Sequence, residues 1–154
     1  MQTRVTLVVN NPDAMEALGE QIASALEAGD MVMLHGPLGA GKTTLTRGLG
    51  RGLGATGTIQ SPTFVLAREH RTERGPRLVH IDAYRLGSAV ELDDLDIDFA
   101  HQIAVVEWPR DFLNEDTATV LKLEIAPNPD TEQRAVHITW QNPKWGFLSK
   151  LRLP

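Results

Sequence analysis

Eight consecutive residues, Gly36-Pro37-Leu38-Gly39-Ala40-Gly41-Lys42-Thr43, restrict what this chain can fold into more than any other feature. The spacing Gly-x-x-x-x-Gly-Lys-Thr works only between a buried strand and a helix, because the loop must turn tightly and end on free helical N–H groups. The flanking sequence supplies both. Met31-Val32-Met33-Leu34 is a short continuous apolar run, as expected of a strand covered on both faces. Thr44 to Leu53 carries Leu45, Leu49 and Leu53 at every fourth residue, and Gly54 is a natural helix stop. Gly36, Gly39 and Gly41 let the backbone N–H groups turn inward, so the segment predicts a phosphate cradle. From average residue frequencies such a match arises by chance in roughly one chain in a hundred of this length, before the strand and helix are demanded.

A cradle of this type holds a nucleoside triphosphate with Mg²⁺. Lys42 is expected on the β- and γ-phosphates, the Thr43 hydroxyl on Mg²⁺, and Thr44 on the α-phosphate. The backbone of Gly36, Gly39, Ala40 and Gly41 completes the cradle. The site further needs an acidic side chain at the end of a buried strand. Asp82 ends Leu78-Val79-His80-Ile81, and Glu107 ends Ile103-Ala104-Val105-Val106. Both are read as metal-side or catalytic carboxylates, and spacing does not decide which lies closer to the metal. Thr63, in Ser61-Pro62-Thr63-Phe64, stands where a switch segment would sense the γ-phosphate or Mg²⁺. Trp108 reads equally well as core or as a cover over the nucleotide.

The remaining elements fit an α/β chain: a P-loop NTPase-like three-layer fold with a mixed, partly parallel sheet. Residues 1–154 are read as one nucleotide-binding domain. Thr3 to Val9 is a β-branched strand, and Asn11-Pro12-Asp13 opens a helix that carries Met15, Leu18, Ile22, Ala25 and Leu26 and closes at Gly29. Phe64 to Glu69 and Leu78 to Asp82 form a hairpin around Arg71-Thr72-Glu73-Arg74-Gly75-Pro76. Val120 to Ile125 and Ala135 to Trp140 are the last strands.

Composition narrows the function classes. With no Cys, disulfides, iron–sulfur clusters and thiolate zinc sites are excluded. Neither a signal peptide nor an apolar run of membrane-spanning length is visible, and the cytoplasm is the expected location. A net charge of −5 argues against tight autonomous binding of nucleic acid. Asp94, Asp96 and Asp98 alternate like a Ca²⁺ loop, but Phe99 and Val105 stand where that loop needs Gly and Glu. The five His residues show no ligand spacing. Arg68, Arg71, Arg74 and Arg77 read as a solvated charged hairpin.

Four segments in series are more specific than the loop alone. His35-Gly36 through Thr44, Ser61-Pro62-Thr63-Phe64, His80-Ile81-Asp82-Ala83-Tyr84-Arg85-Leu86 and Val106-Glu107-Trp108-Pro109 together resemble the bacterial TsaE (YjeE) family, over nearly the whole chain. The resemblance implies a Mg-ATP-binding P-loop ATPase of tRNA threonylcarbamoyladenosine biosynthesis, weak alone and raised in activity by a TsaB–TsaD pair. It implies Thr43 and Glu107 at the metal, Asp82 and Thr63 nearby, Lys42 on the phosphates, Trp108 against the nucleotide and Arg134 near it. Contact with tRNA would come only through the complex. The family commonly has Gly after the Tyr-Arg-Leu motif, where this chain has Asp96. Arg85 is the candidate for an arginine finger within the chain, and a partner is the other source.

Two other classes share the loop. A small-molecule kinase would need an Arg-rich lid, for which only the run around Arg71 offers material. A GTPase-type switch would need Gly within Asp82-Ala83-Tyr84-Arg85 and an Asn-Lys-x-Asp motif, and Asn142-Pro143-Lys144-Trp145 does not substitute.

Overall fold

The computed structural model describes residues 2–57, 59, 67–109 and 118–154, without the side chains of Arg85 and Ala89. Its strands are β1 (Thr3–Val9), β2 (Met31–His35), β3 (Ala67–His70), β4 (Leu78–Asp82), β5 (Ile103–Glu107), β6 (Val120–Pro127) and β7 (Arg134–Trp140). Helices α1 (Pro12–Ala23), α2 (Lys42–Leu53) and α3 (Ala89–Asp94) lie between them. Short 3₁₀ segments cover Ala83–Arg85 and Pro143–Lys150. All seven strands join one sheet in the order β1-β7-β6-β2-β5-β4-β3. The neighbours β6, β2, β5 and β4 run parallel, while β7 and β3 are antiparallel to theirs. The mixed α/β sheet expected from the sequence is present.

The apolar runs of β2 and β5 sit at the centre because only there is backbone covered on both sides. Alternation then sorts their side chains. Val32, Leu34, Ile103 and Val105 join the core under α1 and α2. Met31, Met33, Ala104 and Val106 join the core on the other face, with Leu86 and Leu92 around α3. The phosphate loop leaves the C-terminal end of β2, between β6 and β5. Ligands gather at the carboxyl ends of strands in such sheets.

Helices α1 and α2 approach at backbone distance. A Cβ added to Gly19 would lie 2.2 Å from the Leu45 carbonyl oxygen, and one added to Gly48 would lie 2.0 Å from that of Glu16. The axis of α2, and hence the position of its phosphate-facing end, is set by this contact. The exposed pairing of Glu16 with Arg47 at 3.6 Å and with Arg51 adds little to this contact, because solvent screens it.

Two expectations needed revision. Helix α1 starts as expected, with the Asn11 carboxamide oxygen accepting from Ala14 N at 2.8 Å. It ends at Ala23, however, not near Gly29. The N–H groups of Ser24, Ala25 and Leu26 donate to the i−3 carbonyls at 3.2 Å, so the last turn tightens. Its end carbonyls are met by Arg74, which donates to Ala23 O and, at 2.9 Å, to Leu26 O. The β3–β4 hairpin is therefore not only a solvated charged loop: Arg74 caps α1 from it, and Arg77 pairs with Glu69 at 3.2 Å. Strand β3 runs Ala67–His70, and the expected start at Phe64 lies outside the described residues. The C-terminal 3₁₀ segment was not anticipated. Asn142 caps it, accepting from Lys144 N at 3.0 Å, and Trp145 and Leu148 are buried in the core. Among the described residues no helix is long and apolar enough to cross a membrane.

Candidate functional site

The loop from Gly36 to Thr43 takes the conformation its glycines allow. Gly39 and Gly41 have φ of 78° and 113°, left-handed values that a side chain would oppose. The first intrahelical bond of α2 runs from Leu45 N to Gly41 O at 2.9 Å. By helix geometry, Lys42, Thr43 and Thr44 therefore present N–H groups with no partner within α2. The positive end of the helix dipole lies there as well.

Register brings the two carboxylates to this place. Asp82 and Glu107 are direct partners in the parallel β4–β5 ladder, and Glu107 is opposite Leu34 of β2. Trp108 follows with φ of 55°, its N–H bonded to Leu34 O at 3.2 Å. That turn lays the indole against the Lys42 ammonium, 3.5 Å from the ring centroid, and 5.6 Å from the Tyr84 ring. Glu107 is 4% exposed, whereas Asp82 is half-buried and caps the following turn, accepting from Tyr84 N at 3.1 Å.

Lys42 is 5% exposed and donates to Gly36 O at 2.5 Å. Burial lowers its pKa below the ordinary 10.5, against the opposing pull of Glu107 and then Asp82. The ammonium is thus held near two carboxylates and two carbonyls, in reach of any anion entering the loop.

Two cavities flank the loop and share Gly39, Ala40, Gly41 and Thr44. The inner one, about 310 Å³, is completed by Leu38, Lys42, Thr43, Glu107 and Trp108. The outer one, about 200 Å³, is completed by Asn11, Pro12, Met15, Glu132 and Arg134. Arg134 ties its side of the loop down, its Nε donating to Ala40 O at 3.1 Å.

The comparisons with known proteins agree on one family. Residues 9–136 match the family model described as "Threonylcarbamoyl adenosine biosynthesis protein TsaE". The chain is 49% identical over 138 residues to the tRNA threonylcarbamoyladenosine biosynthesis protein TsaE of Streptomyces coelicolor, covering 85% of this chain and 93% of that one. It is 40% identical over 99 residues to the Bacillus subtilis protein of the same name, covering 64% and 62%. The crystal structure of Bacillus subtilis YdiB superposes with a TM-score of 0.73 at 28% identity, covering 97% of this chain and 94% of that one. The chain belongs to the TsaE family. It is a P-loop ATPase.

In this TsaE-family chain Lys42, Thr43, Glu107 and Trp108 line one cavity, and Arg134 lines the other, with Thr44 in both. Asp82 stands beside Glu107 without lining the inner cavity. Thr63 and the Ser61-Pro62-Thr63-Phe64 segment lie outside the described residues, as does the Arg85 side chain. Asp96, where the resemblance implies Gly, has φ of 54°, a left-handed value that Asp is one of the few other residues to tolerate.

Two features escaped sequence reasoning. Asn11, Pro12, Met15 and Glu132 come to the outer cavity from distant parts of the chain, which no local motif signals. His80 was read as one of five unconnected histidines, yet its Nε2 lies 2.5 Å from Glu107 Oε2. Period-two alternation back from Asp82, across to Glu107, would have found it.

Proposed function

We propose that the inner cavity takes the triphosphate of Mg-ATP and the outer cavity its nucleoside end, and that hydrolysis there serves a TsaB–TsaD-like complex acting on tRNA. Family membership supplies the reaction class: binding and hydrolysis of ATP in tRNA threonylcarbamoyladenosine biosynthesis. Neither the kinase nor the GTPase reading has comparable support. The observation that carries the proposal is the convergence of Lys42, Thr43 and Glu107 on one cavity at the N-terminus of α2.

On entry, phosphate oxygens replace Gly36 O as partners of the Lys42 ammonium. The indole of Trp108, already against that ammonium, then lies along the phosphates. The donor set fits Mg²⁺ held jointly with phosphate: a Thr43 hydroxyl and a Glu107 carboxylate line the same cavity, and Mg²⁺ takes few protein ligands beside phosphate and water. When bound, Mg²⁺ neutralises charge on the β- and γ-oxygens. Asp82, one strand further out, acts on this centre through water. The attacking water is aligned by these carboxylates. Its oxygen joins the γ-phosphorus as the bond from that phosphorus to the bridging oxygen breaks, ADP leaves with the bridging oxygen, and the water's proton passes to the released phosphate. On the outer side Arg134 and Asn11 face the nucleoside.

Weak activity alone and stimulation by TsaB–TsaD are carried over from the family resemblance. The rim supports a covering partner, with Leu38 93% and Tyr84 65% exposed beside the cavity. Service to a tRNA-modifying complex fits the cytoplasm as the proposed location. ATP turnover alone and with TsaB–TsaD, with Lys42→Ala as control, tests the reading. Stimulation that vanishes in the variant is expected, and no stimulation by competent partners despite ATP binding would overturn it.

A further inference from the structure

The imidazole of His80 is 0% exposed, in the middle of β4 with β3 and β5 on either side. A side chain there is placed by the sheet and cannot swing out. Its Nε2 lies 2.5 Å from Glu107 Oε2, and its Nδ1 is buried with no hydrogen-bond partner among the described residues. An ionised carboxylate can only accept, so Nε2 is the donor in this contact.

This is a poor arrangement for stability alone. Burying a polar ring with one nitrogen lacking a partner among the described residues costs more than burying a leucine of similar bulk, and its cross-strand neighbour Val105 is apolar. What the ring does achieve is to fix one oxygen of Glu107. Without it, a glutamate side chain at a strand end has three rotatable bonds and several rotamers. With Oε2 held against the sheet, Oε1 is left for the cavity that Glu107 lines.

We propose that His80 is a positioning residue, which clamps Glu107 Oε2 so that Oε1 is set in advance for the Mg²⁺ that enters with ATP. The inference rests on Glu107 serving the metal, as above. Partners in the layer behind a metal ligand change metal affinity by about 10- to 100-fold when removed.

The test measures ATP affinity by calorimetry as a function of Mg²⁺, and again in EDTA, for His80→Leu, His80→Gln, Glu107→Gln and the double variant His80→Leu/Glu107→Gln. His80→Gln keeps an N–H donor at about the reach of Nε2. The expected result is that His80→Leu raises the Mg²⁺ needed for half of the metal-dependent gain by about 10-fold or more. ATP affinity in EDTA stays unchanged, His80→Gln restores most of the loss, and His80→Leu adds nothing in the Glu107→Gln background. If Glu107→Gln itself leaves the Mg²⁺ dependence unaltered, the assignment of Glu107 to the metal fails. If Glu107→Gln is impaired but folded His80→Leu is not, the positioning role fails. Should His80→Leu not fold, His80→Gln decides: loss of Mg²⁺ response equal to that of Glu107→Gln overturns the clamp.

Discussion

The two cavities beside the phosphate loop are built in different ways. The inner one is made of strand ends and the residues directly after them: the loop after β2 and the Glu107-Trp108 step after β5. Its geometry follows from parallel register, which sets Leu34, Glu107 and Asp82 side by side. The outer one gathers the start of α1 and the loop before β7, segments about 120 residues apart that meet only in the finished fold (Gln133 Nε2 reaches Asn10 Oδ1 at 3.0 Å). On the proposed assignment, the chemistry that every triphosphate needs sits at the centre of the sheet, and the contacts that tell one nucleoside from another sit on peripheral pieces.

The largest effect should come from the inner side. Lys42→Ala removes a buried cation and is expected to weaken ATP by about 3 kcal/mol, on the order of 100-fold, while leaving the fold intact by circular dichroism. ATP affinity near the wild-type value would break the distinction between the cavities.

Next comes the helix contact beneath both cavities. Gly48→Ala drives a methyl into the Glu16 carbonyl, which only a shift of α2 relieves. A loss of about 1–3 kcal/mol in chemical denaturation is expected, with ATP binding weakened as well. Lost stability without any loss of binding would show that the loop does not depend on the seating of α2.

A smaller effect is expected from Arg134→Ala, about 10-fold in ATP affinity from one lost charged contact. Its mark should be a changed ATP-to-GTP ratio with an unchanged Mg²⁺ requirement. A shift in Mg²⁺ requirement instead would mean that Arg134 acts on the inner side through Ala40.

The smallest effect is on pH. The Lys42 pKa is lowered by burial, so the folded protein releases this proton before the unfolded chain does. The cost of burying the ammonium is present in full below the depressed pKa, and stability from this group rises as pH climbs from there towards 10.5. Phosphate favours the charged form, so ATP binding should weaken across that window and take up part of a proton. Calorimetry in buffers of different ionisation heat would show the uptake, and Lys42→Arg should abolish it.

Legibility in the sequence followed the same division. The inner cavity was readable because its residues lie in short motifs whose chemistry demands them, and because β2, β4 and β5 announce themselves as apolar runs. Arg134 was reached only by family resemblance. The early end of α1 and the capping by Arg74 were hidden because a tertiary contact, and not a local stop signal, finishes that helix. The C-terminal turn was missed since Pro143 and Gly146 break the periodicity that would mark a helix. His80 was overlooked because ligand spacing was sought along the chain, while its partner lies one strand across.

The central claim, that the phosphates and the nucleoside of ATP occupy different cavities, is tested most directly by competition against ATP with the two halves of the molecule. Inorganic tripolyphosphate should displace ATP in the wild type and fail to bind Lys42→Ala, whereas adenosine should bind both proteins alike. Failure of tripolyphosphate to compete, or adenosine binding that depends on Lys42, would contradict it.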